Sequence, residues 1–268
     1  MSDSTLAGPI SSTNEIPSIA DVSSKASKEI SYALVKKICT IQRKSEKPPG
    51  QTAGNMFEGV CKSFLKKSMD KLSHLRPGQF TVERGKMISL FEQYAHLDEL
   101  RTLADESKEL KTHLGTDYLI KPDVVVIRAP ETDDRINANL PLVDKTVAQK
   151  TSLRRANGVN ASLHASVSIK LTIRSDRVQN TRSEALNLVR NRKGRLPHIT
   201  AITAEPLPTR IAAIALGTGD IDCVYHFALT ELVEVLKEQE RETLELVETM
   251  IEGKRLRDIS DLPLDLII

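Results

Sequence analysis

Tryptophan is absent from the sequence, and aromatic residues amount to only 3%. A core of stacked rings is thereby excluded, and Leu, Ile, Val and Ala must supply it. Cysteine is scarce. Cys39, Cys61 and Cys223 are odd in number, far apart and flanked by apolar residues. They have no zinc spacing and make no disulfide framework, so all three are expected to be buried hydrophobes in a reducing compartment. No apolar run approaches the ~18 residues of a membrane helix. The Ser- and Thr-rich start lacks a charged segment followed by an apolar one. These absences predict a soluble, cytoplasmic protein. An excess of charge of one sign is missing as well: 38 basic residues face 36 acidic ones, for a net charge of +2. The global balance names no partner, so local distribution must carry that information.

What is present is a 268-residue chain of which 40% is hydrophobic. That suits one large domain, or one domain with a small subdomain. Charge is concentrated in one place. From Lys170 to Arg195 there are eight basic residues (Lys170, Arg174, Arg177, Arg182, Arg190, Arg192, Lys193 and Arg195), opposed only by Asp176 and Glu184. A solvated helix face would alternate Lys with Glu. This segment reads instead as a place of phosphate contact.

Along the chain, residues 1–20 read as a loose arm. Helical spacing predicts a helix over 25–40, and Pro48-Pro49-Gly50 breaks it. Thr52 is placed to cap a second helix running to about Leu75. Two further helical stretches, Met87–Tyr94 and Leu97–Leu110, follow, with no convincing strand before Gly115. The pattern then changes. Tyr118–Arg128 is rich in β-branched residues, as in a strand buried on both faces. Residues 131–150 form a polar insertion with a short helix near 144–150. His164–Arg174 alternates strictly: Val167, Ile169, Leu171 and Ile173 face one way, Ser166, Ser168, Lys170 and Thr172 the other. A helix from about Thr181 to Arg192, a strand at 198–204, a helix near 209–216, a strand at 221–228 and a long helix from 229 to about 255 complete the chain. Strands alternating with helices predict an α/β fold with a central mixed β-sheet flanked by helices.

Hydrolysis of a phosphodiester needs an activated water, neutralisation of a pentavalent transition state and a stabilised leaving oxygen. Carboxylate-held divalent metal supplies most of this, and a lysine beside the water balances charge. Asp123 follows Pro122 as an apolar strand begins. Lys170 lies on the polar face of the alternating strand, with Ser168 two residues earlier. Glu184 lies in the following helix, and Glu58 on the second helix. Taken alone, Lys170 reads equally well as a sheet-edge lysine that discourages aggregation, and a Pro-Asp pair at a strand start is common by chance.

Pro122-Asp123, Ser168-Ile169-Lys170 and Glu184 together resemble the permuted variant of the PD-(D/E)XK nuclease motif. The usual acid two residues before the lysine is replaced here by Ser168, and Glu184 supplies the missing carboxylate. The flanking segments Arg128-Ala129-Pro130-Glu131, Arg174-Ser175-Asp176-Arg177, Arg182-Ser183-Glu184 and Gly217-Thr218-Gly219-Asp220-Ile221-Asp222-Cys223-Val224-Tyr225 are similar to those of NgoMIV-type Type II restriction endonucleases. The likeness runs from about Asp21 to Phe227.

This resemblance implies a restriction-endonuclease-like fold and a single nuclease domain over 21–268. That domain would be mainly helical over 21–112, with the α/β catalytic and DNA-reading part over 113–268. It implies Mg2+, one or two per active site, held by Asp123, Glu184 and the backbone carbonyl of Ile169. Lys170 would stand at the attacking water, and Glu58 would be a further acid from the N-terminal helix. Arg174, Asp176 and Arg177 would read a CCGG core. An Arg fork suits guanine and an Asp acceptor suits cytosine, although Asp176 as a helix cap with phosphate-contacting arginines is the plainer alternative. Arg210, with Asp21 and Ser23, would read an outer G·C pair, giving GCCGGC. The implied partners are double-stranded DNA, further copies of the chain in a homotetramer, and a cognate methyltransferase acting on the same site of a bacterial cytoplasm.

Other polar residues invite blander readings. His198 and His226 read as strand histidines satisfied by hydrogen bonds, Asp133-Asp134 as a solvated loop, and Asp220 and Asp222 as structural. The long C-terminal helix supplies a subunit interface or simply covers the sheet. Two competing functions remain: a structure-selective or repair nuclease of the same fold, and a sequence-specific DNA-binding protein without catalysis. Lys170 and its carboxylates speak against the second, and the Arg174–Arg177 segment speaks against the first.

Overall fold

A computed structural model describes residues 17–38, 50–114, 119–217 and 219–268. Cys39, Tyr118, Thr218 and the Pro48-Pro49 break lie outside the described residues, as does the expected arm except for 17–20. Those four residues are packed: Ile19 is buried in the core.

The molecule is organised on a six-stranded sheet whose spatial order follows the chain. The strands are β1 (Phe80–Arg84), β2 (Val124–Arg128), β3 (Ser162–Lys170), β4 (His198–Thr203), β5 (Cys223–His226) and β6 (Leu256–Asp258). The pairs β1–β2 and β2–β3 are antiparallel, whereas β3–β4, β4–β5 and β5–β6 are parallel. The sheet is therefore mixed, with its change of direction at β3.

Two helices, α1 (Lys25–Ile38) and α2 (Gly50–Lys71), precede β1. Then come α3 (His96–Glu106), α4 (Lys108–Leu114) and the single turn α5 (Asp133–Ile136). Parallel strands cannot be joined by hairpins, so helices bridge them. α6 (Ser175–Asn191) connects β3 to β4, α7 (Pro208–Ala215) connects β4 to β5, and α8 (Leu229–Glu238) with α9 (Leu244–Glu252) connects β5 to β6. The turn α10 (Leu262–Asp265) closes the chain. α6 packs on α7 and α7 on α9; α2 packs on β1 and β3, and α1 on α8. One core runs through all of it. Val124, Val125 and Val126 are fully buried, as a central strand covered on both faces requires.

Several expected elements differ, each for a local reason. A strand, β1, lies in the part read as helical; its five residues give too short an alternation to stand out. The helix expected over 87–94 is two 3-10 turns separated by extended Phe91. Thr52 does not cap α2, which already begins at Gly50. No helix forms at 144–150. Asp144 instead accepts the Thr146 and Val147 N–H groups at 2.6 and 2.9 Å, and Ala148 takes φ 56°. The alternating strand stops at Lys170, because the Ile173 N–H is taken by the Glu205 carboxylate at 2.7 Å. The long C-terminal helix is two helices broken at Gln239–Thr243, where Glu240 adopts φ 49°. Its first half spends its apolar face within the chain, and Lys37 of α1 bonds to Glu234 and Glu238 of α8 at 3.0 and 2.7 Å.

No described helix is long and apolar enough to cross a membrane. Cys61 and Cys223 are buried free thiols, as their apolar surroundings predicted, and burial pushes Cys61 up to about 12.

Candidate active site

The site is built where the antiparallel and parallel halves of the sheet meet. Val124 of β2 pairs with Val167 of β3, so the same register sets Asp123 across from Ser168. Pro122 cannot donate to a ladder, which frees the chain to turn at this point. The Asp123 Oδ2 then accepts two hydrogen bonds, from the Ile169 N–H at 2.7 Å and from the Lys170 ammonium at 2.9 Å. Asp123 and Lys170 keep about a fifth to a quarter of their side-chain surface exposed, 24% and 20%. They are held rigidly and remain reachable.

Ser168 lies on the same face as Lys170. Its Oγ is 3.5 Å from the Thr181 hydroxyl of α6, so α6 covers this face of β3. Glu184 follows Thr181 by one helical turn and therefore projects from the same side of α6. Burial raises the Glu184 carboxyl above its ordinary value; the Lys170 charge opposes the rise and the Asp123 charge adds to it. Three ionisable groups thus sense one another: Asp123, Lys170 and Glu184.

The other sequence-predicted residues are placed as follows. Glu58, on α2, forms an ion pair with Arg84. Arg84 ends β1 opposite Val124, beside the start of the Asp123 strand. The sequence reading missed Arg84, since it missed β1. Arg174 is the exposed residue preceding α6. Asp176 and Arg177 fall in the first turn of α6, but their side chains lie outside what is described. Asp21 and Ser23, far away in sequence, come to Arg210 at the start of α7: Arg210 pairs with Asp21, and Asp21 Oδ1 accepts from the Ser23 hydroxyl at 2.7 Å. Ser23 and then Arg210 hold the Asp21 carboxyl well below the usual carboxylate range. Asp21, Ser23, Arg174 and Arg210 line one cavity of about 600 Å³.

Glu205 is a second residue the sequence reading passed over. It is fully buried, accepts the Ile173 and Leu207 N–H groups at 2.7 and 3.1 Å, and lies 3.8 Å from Arg210. It fixes the turn carrying Arg174 and the turn carrying Arg210 to each other. The available signal was a carboxylate directly following the apolar run of β4.

The remaining candidates are structural. Asp222 accepts the Ile199 N–H at 2.8 Å, and Asp220 lies 3.5 Å from Arg182. Fully buried His226 accepts from the Ala228 N–H and bonds to the Glu205 carbonyl. Asp133 is more than a solvated loop residue: it takes both Nε and Nη2 of buried Arg154, at 2.6 and 2.5 Å. The Nε2 of His198 is buried without a hydrogen-bond partner among the described residues, contrary to expectation.

Among the described residues, no three His, Cys, Asp or Glu side chains cluster as a metal site. A magnesium ion needs less than that: one or two carboxylates, with waters and substrate phosphate filling the rest of its octahedron. The Asp123–Glu184 pair has that donor chemistry. Both Asp123 hydrogen bonds fall on Oδ2, and Oδ1 accepts none among the described residues. The residues present therefore fit a hard, oxygen-bound cation.

A mixed sheet with flanking helices, presenting an acid–lysine pair where its direction changes, is the architecture of a restriction-endonuclease-like nuclease. The sequence model of the NgoMIV restriction enzyme family matches residues 7–268, so the chain belongs to that family of Type II restriction endonucleases. The Type II restriction enzyme NgoMIV of Neisseria gonorrhoeae is 55% identical over 230 residues, covering 84% of this chain and 80% of its own length. Among solved structures, a restriction endonuclease PspGI–substrate DNA complex is similar with a TM-score of 0.39 at 17% identity. That match covers 81% of this chain and 61% of the other, so this chain spans less than two thirds of it.

Proposed function

We propose that the protein hydrolyses double-stranded DNA in a Mg2+-dependent reaction at a palindromic site with a CCGG core, the full site being GCCGGC. The observation that carries the catalytic part is the Asp123 carboxylate, tied by the Ile169 N–H and Lys170, with half-buried Glu184 close enough to sense both charges.

In this reading Asp123 and Glu184, with the Ile169 carbonyl, would hold one or two Mg2+ ions. When bound, the metal supplies positive charge to the scissile phosphate and lowers the pKa of a coordinated water. Asp123 cannot swing away, because two donors fix it. Lys170 orients the attacking water and offsets the negative charge that develops on the phosphate oxygens. Ser168 stands where the usual acid would be and bridges β3 to Thr181, keeping α6 and Glu184 in register with the lysine. Glu58 acts from the rim through Arg84.

For recognition, Arg174, Asp176 and Arg177 read the CCGG core, and Arg210 with Asp21 and Ser23 reads the outer pair. The shared cavity of Asp21, Ser23, Arg174 and Arg210 supports treating these as one reading surface. In the protein alone Arg210 is engaged by Asp21, so base contact requires that pair to open or to be shared with the base. The active form is a homotetramer of two dimers in a bacterial cytoplasm, alongside a methyltransferase that protects the same site.

The test is to digest plasmid DNA with Mg2+ and sequence the ends. Discrete fragments ending within GCCGGC, lost on chelation, are expected. Nonspecific or junction-only cleavage overturns the reading. Mass measurement in solution should give four chains, and a stable monomer would refute the assembly.

A further inference from the structure

The basic segment noted in the sequence does not act as one surface. The 17 residues of α6 span about 25 Å and carry its two ends to opposite ends of the sheet. Lys170 and Arg174 stay at the nuclease end. Lys193 and Arg195 are delivered to the other end, where β3 begins, about 25 Å from Lys170 along the strand.

There they meet cations from elsewhere in the chain. Arg76, Arg128, Lys150, Lys193 and Arg195 all line one cavity of about 440 Å³, and Glu92 is the only acid lining it among the described residues. Glu92 is already engaged, accepting the Asn160 N–H at 2.8 Å. Of the five, Arg128, Lys150, Lys193 and Arg195 form no ion pair among the described residues. The Nε of Arg128 is buried and has no hydrogen-bond partner among the described residues, while its guanidinium lies over the Phe80 ring, 5.7 Å from the centroid. Arg76 is anchored by the main-chain oxygens of Ile267 and Ile268. Burial depresses the Arg76 guanidinium, and the charges of Arg195 and Arg128 add to the effect. Burial likewise pushes His164, on the cavity wall, down to about 4, with His198, Arg76 and Arg195 acting in the same direction.

Five like charges converging on one recess repel one another, and an unpartnered buried donor costs free energy. Both penalties are relieved by one kind of ligand. We propose that this cavity is a second binding site, for a phosphate oxyanion, remote from the nuclease centre. Arginine forks bind a tetrahedral phosphate bidentately, and lysines add point charge. A pyrophosphate group or the phosphates of a free nucleotide fit the recess. The backbone of a DNA duplex offers the same chemistry, so the source is assigned by experiment.

The probe is inorganic pyrophosphate, titrated calorimetrically in metal-free buffer, with chloride at equal ionic strength as the control. Wild-type protein, Lys193→Gln/Arg195→Gln, Arg128→Gln and, as a control on α8, Lys237→Gln are compared. Lys193, Arg195 and Lys237 are exposed, so their replacement leaves the fold intact. The wild type and Lys237→Gln should bind pyrophosphate alike. Arg128→Gln and the double variant should bind about tenfold more weakly or worse, the loss expected for each charge-assisted hydrogen bond. A parallel titration with a duplex lacking GCCGGC assigns the source. Unchanged duplex affinity in the double variant gives the site to free phosphate esters, and a matching loss gives it to the DNA backbone. The proposal is overturned if pyrophosphate binds no better than the chloride control, or if both cavity variants bind it like the wild type. Neither readout depends on DNA cleavage, so failure of the cleavage reading leaves the result interpretable.

Discussion

The Lys170 ammonium lies 2.9 Å from the Asp123 carboxylate and shares its Oδ2 with the Ile169 N–H. One oxygen is thereby committed to positioning, and the acid and the lysine are set by the same strand pairing. Replacing Lys170 with Ala should lower the cleavage rate by about a hundredfold or more. Binding to a GCCGGC duplex should stay within a few-fold, since Asp123 keeps its backbone donor. Rate and gel-shift measurements on one preparation test this; cleavage at the wild-type rate would mean that the lysine is misassigned.

Glu184 offers a pH test. Its carboxyl is raised above the ordinary 4.5, chiefly by burial, so the folded state holds that proton more tightly than the unfolded chain. Stability from this group is greatest below the unfolded value and falls as pH rises through the window above 4.5. Glu184→Gln abolishes the penalty. The variant should melt above the wild type at neutral pH, with the advantage vanishing near about pH 4, and it should not cleave. An advantage independent of pH would show that burial of the charge is not the cause.

Asp21 restrains Arg210, and Ser23 fixes Asp21. Asp21→Asn should release the arginine. Discrimination at the outer base pair should weaken about tenfold, as for loss of one oriented base contact, while the CCGG core is still required. Cleavage rates on duplexes varied only at the outer pair measure this. Unchanged discrimination would remove Asp21 and Arg210 from the reading surface.

Glu205 is predicted to matter without touching DNA. Glu205→Ala strands the buried Ile173 N–H, at a cost of about 1–3 kcal/mol, and the partly buried Leu207 N–H at a smaller one. Urea denaturation should show a loss of that order, with Glu205→Gln losing less because one acceptor remains. Wild-type stability in the Ala variant would refute the role.

The proposed site residues Asp123, Lys170 and Glu184 were legible in the sequence as candidates for reasons that differ residue by residue. Lys170 showed itself as the charge on an alternating strand, whereas Glu184 gained meaning only from the acid missing at Ser168. Arg84 and Glu205 were not legible. Arg84 ends a five-residue strand with too little alternation to detect, and Glu205 takes its role from donors 32 residues earlier and 2 residues later. The break between α8 and α9 was hidden because Gln239–Thr243 contains neither Gly nor Pro. The left-handed turn at Glu240 is closed by local main-chain bonds, Glu240 N–H to the Lys237 carbonyl and Arg241 N–H to the Leu236 carbonyl at 3.1 and 3.0 Å, and no glycine announces it. The basic segment was seen as a density of charge, but a one-dimensional reading could not show that α6 divides it between two ends of the sheet.

Spatial order equal to chain order, from β1 to β6, bears on how the sheet is assembled during synthesis. No strand has to be inserted between two already paired, so each can add to the edge left by its predecessor as the chain emerges. Asp123, just before β2, and Lys170, at the end of β3, meet without the parallel half. Glu184 arrives with the first crossover, α6, and Arg210 with the second, α7. The order of emergence therefore brings the proposed catalytic residues together before Arg210 of the proposed reading surface is in place.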